Sequence, residues 1–279
     1  MNVKIAKEAG FCFGVKRAMK MAWNELEANN QDIYALGPLI HNKQAVSKYE
    51  DKGLITVDEI ESVPNAKKMI IRSHGVSEKI YKDADQKQIN LVDTTCPFVR
   101  KIHRIVKAYH DKGYEIIVIG DSKHPEVIGI NGWCENLATI IKTLEDLGNV
   151  NLDKSKKYCV VAQTTINLEL YLKIINELSK KLSNIVFNNT ICSATKVRQQ
   201  SARELAQEVD CMVVIGGKHS SNTQKLVNIC KETVETFAIE TKEDLDVECL
   251  KYYNTIGITA GASTPDWIIE DVVSFIKAI

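Results

Sequence analysis

Asp93-Thr94-Thr95-Cys96-Pro97-Phe98-Val99-Arg100 places a cysteine between the end of one apolar run and the start of a new pattern. After Cys96 the apolar residues fall at Val99, Ile102, Val106 and Tyr109, the period of a helix. Pro97 suits the first helical position and Gly113 stops the segment. The same setting occurs twice more, at Gly10-Phe11-Cys12-Phe13-Gly14-Val15-Lys16-Arg17 and at Asn189-Thr190-Ile191-Cys192-Ser193-Ala194-Thr195-Lys196. Each cysteine directly precedes an amphipathic helical pattern with basic residues in its first turns.

Farther along the chain the three settings stay in step. A shift of 28 or 29 residues from each cysteine reaches His41, His124 and Ser220. In the second and third cases an apolar strand pattern comes first and a helical segment follows. Shifts of 62, 68 and 71 residues reach His74, Thr164 and Ser263, each at the end of an apolar strand and before a helix. The last helix is expected to open with Thr264 as N-cap and Pro265 at the first helical position. Polar residues recurring at one place in each unit set this apart from ordinary strand–helix alternation.

The repeat predicts an α/β protein of three pseudo-symmetric units with mostly parallel sheets around a central cavity. The expected units are residues 13–95, 96–192 and 193–279, the last completed by an N-terminal strand within 1–12 that carries Val3 and Ile5. Polar residues at the carboxyl ends of parallel strands face the crevice where such sheets bind ligands. The helix starts beside them turn backbone N–H groups and positive dipole ends the same way, which suits an anion and favours thiolate over thiol.

The 279 residues carry 36 Lys+Arg and 36 Asp+Glu, so net charge gives no global attraction to nucleic acid or an anionic membrane. At 44% apolar and 26% charged the composition is that of a folded globular protein. Ile116-Ile117-Val118-Ile119 is far too short to span a bilayer, and no secretory or transit pattern opens the chain. A soluble, cytoplasmic protein without nucleic-acid or membrane partners is expected. In a reducing compartment each of the 8 cysteines is core filler, nucleophile or metal ligand. No C-x-x-C pair exists, so any metal site gathers its cysteines from distant segments.

Three thiolates, Cys12, Cys96 and Cys192, suit a [4Fe–4S] cluster with one iron left open to substrate; zinc on three cysteines is the rival. Cys134, Cys159, Cys211, Cys230 and Cys249 read as core. His103 and His110, in the helix after Cys96, read as solvated or capping, whereas His219 beside the serine loop fits either role. The predicted ligand ring is His41, His74, His124, Thr164, Ser220, Ser221, Asn222 and Ser263, with neither lysine nor arginine. Glu126 is the one acid at these tips: a first-turn partner of the helix dipole or, facing an enclosed cavity, a general acid. No P-loop and no G-x-G-x-x-G opens these helices, which argues against nucleotide use.

Nine motifs, AGFCFGVKRA, LGPLIHN, RSHGV, DTTCP, GDSKHPEV, AQTT, NTIC-x-AT-x-x-RQ, SSNT and GAST, resemble in order and spacing the LytB/IspH family of 4-hydroxy-3-methylbut-2-enyl diphosphate reductases, from residue 11 to residue 265. The resemblance implies three α/β units about a pseudo-threefold axis and one [4Fe–4S] cluster on Cys12, Cys96 and Cys192. It implies reductive dehydroxylation of an allylic alcohol diphosphate to isopentenyl and dimethylallyl diphosphates, the last step of the non-mevalonate isoprenoid route. His41, His74, His124, Ser220, Ser221, Asn222 and Ser263 map onto the diphosphate-binding residues, and Glu126 and Thr164 onto proton delivery and hydroxyl positioning. The electrons are expected from a ferredoxin or flavodoxin, and the extra terminal domains of some relatives are not expected here. A redox-neutral iron–sulfur hydro-lyase and a non-catalytic metal or phosphate sensor are the alternatives from other classes.

Overall fold

The computed structural model describes residues 1–28, 32–40, 42–217 and 220–279. In chain order the elements are β1 (Asn2–Ile5), α1 (Phe13–Ala28), β2 (Ile33–Leu36), α2 (Lys43–Glu50), β3 (Leu54–Val57), β4 (Lys68–Ile71), α3 (Glu78–Gln86), β5 (Asn90–Asp93), α4 (Pro97–His110), β6 (Glu115–Ile119), α5 (Pro125–Asn131), β7 (Thr139–Ile141), α6 (Leu144–Asn149), β8 (Tyr158–Ala162), α7 (Leu168–Lys181), β9 (Ile185–Phe187), α8 (Ser193–Ala206), β10 (Cys211–Ile215), α9 (Ser221–Lys231), β11 (Glu235–Ile239), α10 (Val247–Leu250), β12 (Thr255–Ala260) and α11 (Asp266–Ala278). The helices expected after Cys12, Cys96 and Cys192 are α1, α4 and α8.

The strands form three four-stranded sheets, β3-β2-β4-β5, β7-β6-β8-β9 and β11-β10-β12-β1, with parallel pairing throughout. Numbered within its own unit, each sheet runs 2-1-3-4. In the last sheet the fourth place is taken by β1, whose Asn2 to Ile5 pair with Thr255 to Ile258. Each candidate cysteine follows a fourth strand: Cys12 after β1, Cys96 after β5 and Cys192 after β9. Strand β2, only four residues long, supplies the first unit with the strand that its sequence pattern had not shown.

By compactness the chain divides into Met1–Met19 with Ile40–Lys52 and Ser193–Ile279, and Lys20–Leu39 with Gly53–Cys192. The first body holds the sheet with β1. Its strands alternate inward and outward, so Cys211, Val213, Ile215, Ile256, Ile258 and Ala260 pack on Ile268, Ile269, Val272 and Ile276 of α11. Met212 and Val214 face the other way, onto Ala202, Leu205 and Ala206 of α8 and Leu226, Val227 and Cys230 of α9.

The second body holds the other two sheets. Ile117, Ile119, Tyr158, Val160 and Ala162 pack on Tyr171, Ile174 and Leu178 of α7. Ile116, Val118, Cys159 and Val161 cover the opposite face with Ile102 and Val106 of α4 and Val127 and Ile130 of α5. Strands buried on both faces explain the near-continuous apolar runs in the sequence.

Three local expectations change. His103 is not solvated but 2% exposed, because it lies four residues after Val99 on the same buried face of α4. Thr264 does not cap α11: Pro265 holds the N-cap position, and the buried Thr264 hydroxyl donates to Ile215 O at 3.1 Å. A third concerns Cys249, which is exposed and donates its thiol to Asp246 Oδ2 at 3.1 Å; the other four cysteines read as core are buried. If the packed face of α7 carries the sheet above it, Ile174→Ala should lower the free energy of unfolding by about 2–5 kcal/mol. A urea midpoint unchanged from wild type would contradict this packing.

Candidate active site

An order of 2-1-3-4 makes strands 1 and 3 of each sheet neighbours whose connections leave in opposite directions, and that switch point opens a crevice at the carboxyl edge. The described polar tips read from the repeat lie there. In the second body His74 follows β4, His124 precedes α5 and Thr164 follows β8; in the first, Ser220 precedes α9 and Ser263 follows β12. His41 and His219 lie outside the described residues. Ser221 opens α9, and Asn222 is its second residue.

The second body brings its tips together. The rings of His74 and His124 meet edge to face with centroids 5.5 Å apart. His124 is the N-cap of α5, where Nδ1 accepts from Glu126 N at 3.2 Å. In the neutral ring that leaves the proton on Nε2. Glu126 is 3% exposed and bound twice by Thr164: the backbone N–H donates to Oε1 at 2.6 Å and the hydroxyl to Oε2 at 2.7 Å. Burial pushes its carboxyl up to about 6, against the pull of both Thr164 hydrogen bonds. Glu126 and Thr164, from neighbouring strand ends, therefore form a proton-holding pair with no cation to force ionisation.

The cysteines are tied to these tips by backbone. Cys96 N–H donates to Ser73 O at 3.0 Å, next to His74, and Cys192 N–H donates to Thr164 O at 2.8 Å. Cys96 is the N-cap of α4, with Pro97 at N1. In the first body Gly10 adopts φ +82°, and a Cβ there would stand 2.8 Å from Ile269 Cδ1. Its carbonyl accepts from buried Arg198 Nη2 at 2.8 Å, which fixes the turn leading to Cys12. The thiols sort by setting. Cys12, Cys96 and Cys192 are half-buried at helix starts. Burial pushes Cys134 and Cys230 up to about 11, and Cys159 and Cys211 up to about 12, so these stay protonated. Cys249 is raised as well, chiefly by its bond to Asp246.

Asn222 carries the clearest mark of a missing ligand. Among the described residues neither buried amide atom, Oδ1 or Nδ2, has a hydrogen-bond partner, although such groups are costly to leave unmatched. Among the described residues no three His, Cys, Asp or Glu side chains cluster tightly enough for a single metal ion. In an iron–sulfur cube each cysteine binds a separate iron, so the donor set suits that cofactor without meeting at one point.

Two residues outside the predicted ring shape it. Gly75, with φ +70°, closes a turn on Arg72 by donating to its carbonyl at 3.0 Å, and His74 lies inside that turn. A Cβ on Gly75 would fall 2.5 Å from His103 Cε1, so the turn rests on the imidazole. His103 stacks on Trp133 at 5.2 Å, and burial drives its pKa down to about 4, keeping it neutral. Trp133 Nε1 donates to Val76 O at 2.9 Å and holds the far side of the same loop. The signal for His103 was its helical phase, overlooked because histidine is polar.

Glu126 has a folded-state value of about 6 against an ordinary 4.5. Its burial therefore costs nothing below about pH 4.5 and destabilises the fold progressively as pH rises to about 6. Glu126→Gln, which cannot ionise, should gain on wild type by about 2 kcal/mol between those limits. Urea unfolding of both proteins across that range reads the gain, and parallel stability curves would show that Glu126 ionises freely.

The LytB protein family model matches residues 3–277. A 4-hydroxy-3-methylbut-2-enyl diphosphate reductase of Clostridioides difficile (strain 630) is 72% identical over 277 residues, 99% of each chain. The protein of the same name from Alkaliphilus oremlandii (strain OhILAs) is 52% identical over 281 residues, again 99% of each. A solved (E)-4-hydroxy-3-methyl-but-2-enyl diphosphate reductase, described as the terminal enzyme of the non-mevalonate pathway, matches at 40% identity with a TM-score of 0.82, covering 100% of both chains. The E-1-hydroxy-2-methyl-but-2-enyl-4-diphosphate reductase of Plasmodium falciparum matches at 31% identity and TM-score 0.86, over 99% of this chain and 87% of that one. With the motifs, the threefold sheet order and these full-length matches in agreement, the chain belongs to the LytB protein family.

Proposed function

We propose that this protein removes the hydroxyl group of (E)-4-hydroxy-3-methylbut-2-enyl diphosphate as water, taking up two electrons and two protons and giving isopentenyl and dimethylallyl diphosphates. The observation that carries the reading is the buried Glu126–Thr164 pair, a carboxyl raised to about 6 and a hydroxyl, with the Thr164 carbonyl accepting from the candidate cluster ligand Cys192. Support comes also from the reductases it matches along its whole length. Cys12, Cys96 and Cys192 hold the cofactor in this reading, each following the fourth strand of one of the three sheets, which repeat one strand order. When bound, a [4Fe–4S] cluster with one iron lacking a protein ligand supplies the electrons and an acidic site for the substrate hydroxyl.

The chain's own residues do the rest. His41, His74, His124, Ser220, Ser221, Asn222 and Ser263 clamp the diphosphate through neutral donors, protonated imidazole and helix starts. The clamp fixes where the hydroxyl group lies, so the reacting atoms meet without a further entropic cost. In neutral His124 the donor is Nε2–H, because Nδ1 is occupied by the α5 backbone. When Glu126 takes up a proton at Oε2, the Thr164 hydroxyl, which otherwise donates to that oxygen at 2.7 Å, turns to accept from it. A proton passed from Oε2 to Oγ1, with the hydroxyl proton of Thr164 moving on to the substrate oxygen, lets that oxygen leave as water. The anionic diphosphate nearby holds the carboxyl proton more tightly still.

Electrons come from a small carrier such as a ferredoxin or flavodoxin that docks near the cluster, and the protein works in the cytoplasm. Among the described residues no helix is long and apolar enough to cross a membrane.

Iron and acid-labile sulfide should each reach about four per chain after anaerobic purification. Both should fall in the Ser variants of Cys12, Cys96 and Cys192 and stay in Cys211→Ser; zinc without sulfide, or equal loss in all four, would overturn the cysteine assignment. Glu126→Gln should keep cluster and substrate affinity while turnover with a chemical reductant falls by about 10²–10⁴-fold. Near-full turnover would remove Glu126 from the mechanism, and water loss without any reductant would point to a hydro-lyase.

A further inference from the structure

The polar ring read from the sequence holds no arginine, yet the fold brings one to the carboxyl edge of the first unit's sheet. Arg72 directly follows β4, and Gly37 directly follows β2, the strand beside it. The guanidinium lies over the bare Cα of Gly37: a Cβ there would stand 2.6 Å from Nη1 and 3.0 Å from Cζ. Gly37 has φ +71°, so both its conformation and its missing side chain leave this place to the arginine.

What the guanidinium lacks, among the described residues, is a hydrogen-bond partner. Nε is buried with no hydrogen bond, and among the described residues no carboxylate pairs with the side chain. Burial alone lowers its pKa, with no carboxylate acting against it. The other arginines with named contacts behave differently: Arg100 pairs with Asp93 at 2.8 Å, and Arg198 donates to Gly10 O at 2.8 Å. Arginine stays charged in proteins, and a part-buried cation without a counter-charge calls for an anion from outside. Arg72 also opens the turn that contains His74, whose ring meets His124.

We propose that Arg72 is a substrate-binding residue that places a permanent positive charge and a two-pronged donor beside the imidazoles of the ring, and that its ligand is the diphosphate group. The assignment rests on the reductase reading above. It gives the site a cation that persists where histidines lose theirs, near neutral pH. Planar guanidinium suits phosphate oxygens in pairs, a geometry that lysine cannot reproduce.

The test is calorimetric titration of inorganic pyrophosphate into the anaerobic holoprotein, with wild type, Arg72→Gln and Arg72→Lys compared at equal iron and sulfide content. Arg72→Gln should bind pyrophosphate about 10- to 100-fold more weakly. Arg72→Lys should recover part of that loss, and in turnover the defect should fall on KM more than on kcat. An unchanged Kd and KM in Arg72→Gln would overturn the assignment. Should that variant fail to fold, the wild-type holoprotein gives the answer: pyrophosphate should shield Arg72 from a dicarbonyl reagent, read by peptide mass, and undiminished labelling would overturn the proposal. A wild type that turns over substrate while Arg72→Gln keeps its Kd rejects this residue alone. A wild type that neither binds pyrophosphate nor turns over rejects the reductase reading as well.

Discussion

Hydrogen bonding across parallel strands forces every connection to cross over the sheet, and a strand order of 2-1-3-4 makes two such crossovers part company between strands 1 and 3. Nothing regular can fill the gap that results, so side chains at the strand ends decide what occupies it. Here each gap receives imidazoles or hydroxyls, and each fourth strand is followed by a cysteine. The backbone then links the two features: amide groups of Cys96 and Cys192 are spent on carbonyls at the tips of neighbouring third strands. A shift of one tip is thereby a shift of one thiol, and geometry at the two kinds of group is kept in common.

The electrostatics of the second body follow from what is absent around Glu126. A buried carboxyl beside an arginine would ionise and become a fixed charge. With only Thr164 donating to it, the group remains within reach of either protonation state near neutral pH, as a proton donor requires. The neutral His103 under Gly75 shows the same economy. Its ring works as a flat support stacked on Trp133, and polarity is kept for the ring facing the opening, that of His74.

Much of this was legible in the chain because it is written three times. A single Cys-Pro or a single Ser-Ser-Asn carries little information, whereas recurrence at matched distances exposed all three cysteines and most strand-end residues. What escaped depended on direction, not order. Strand β2, Ile33–Leu36, is too short for its period to show. His103 was hidden by its chemistry, although its phase with Val99 and Ile102 marked it as buried. Arg72 was hidden by its position: one residue past β4, side-chain alternation no longer tells which way it turns, and only the empty Cα of Gly37 explains its path. Thr264 has the makings of a helix cap, but the carbonyl of Ile215 at the end of the neighbouring strand claims its hydroxyl first.

Strand β1 has a kinetic meaning as well. Residue 2 pairs with residue 255, so this strand must wait for a segment made about 250 residues later before it gains a neighbour. Contacts of such high sequence separation form late and slowly. Until then the segment ahead of Cys12 has no sheet to hold it, and the Gly10 turn has neither Ala260 nor Arg198 to bind. Ordering the loop that carries Cys12 is therefore among the closing events of folding, and a nascent chain offers no premature three-thiol trap to stray metal.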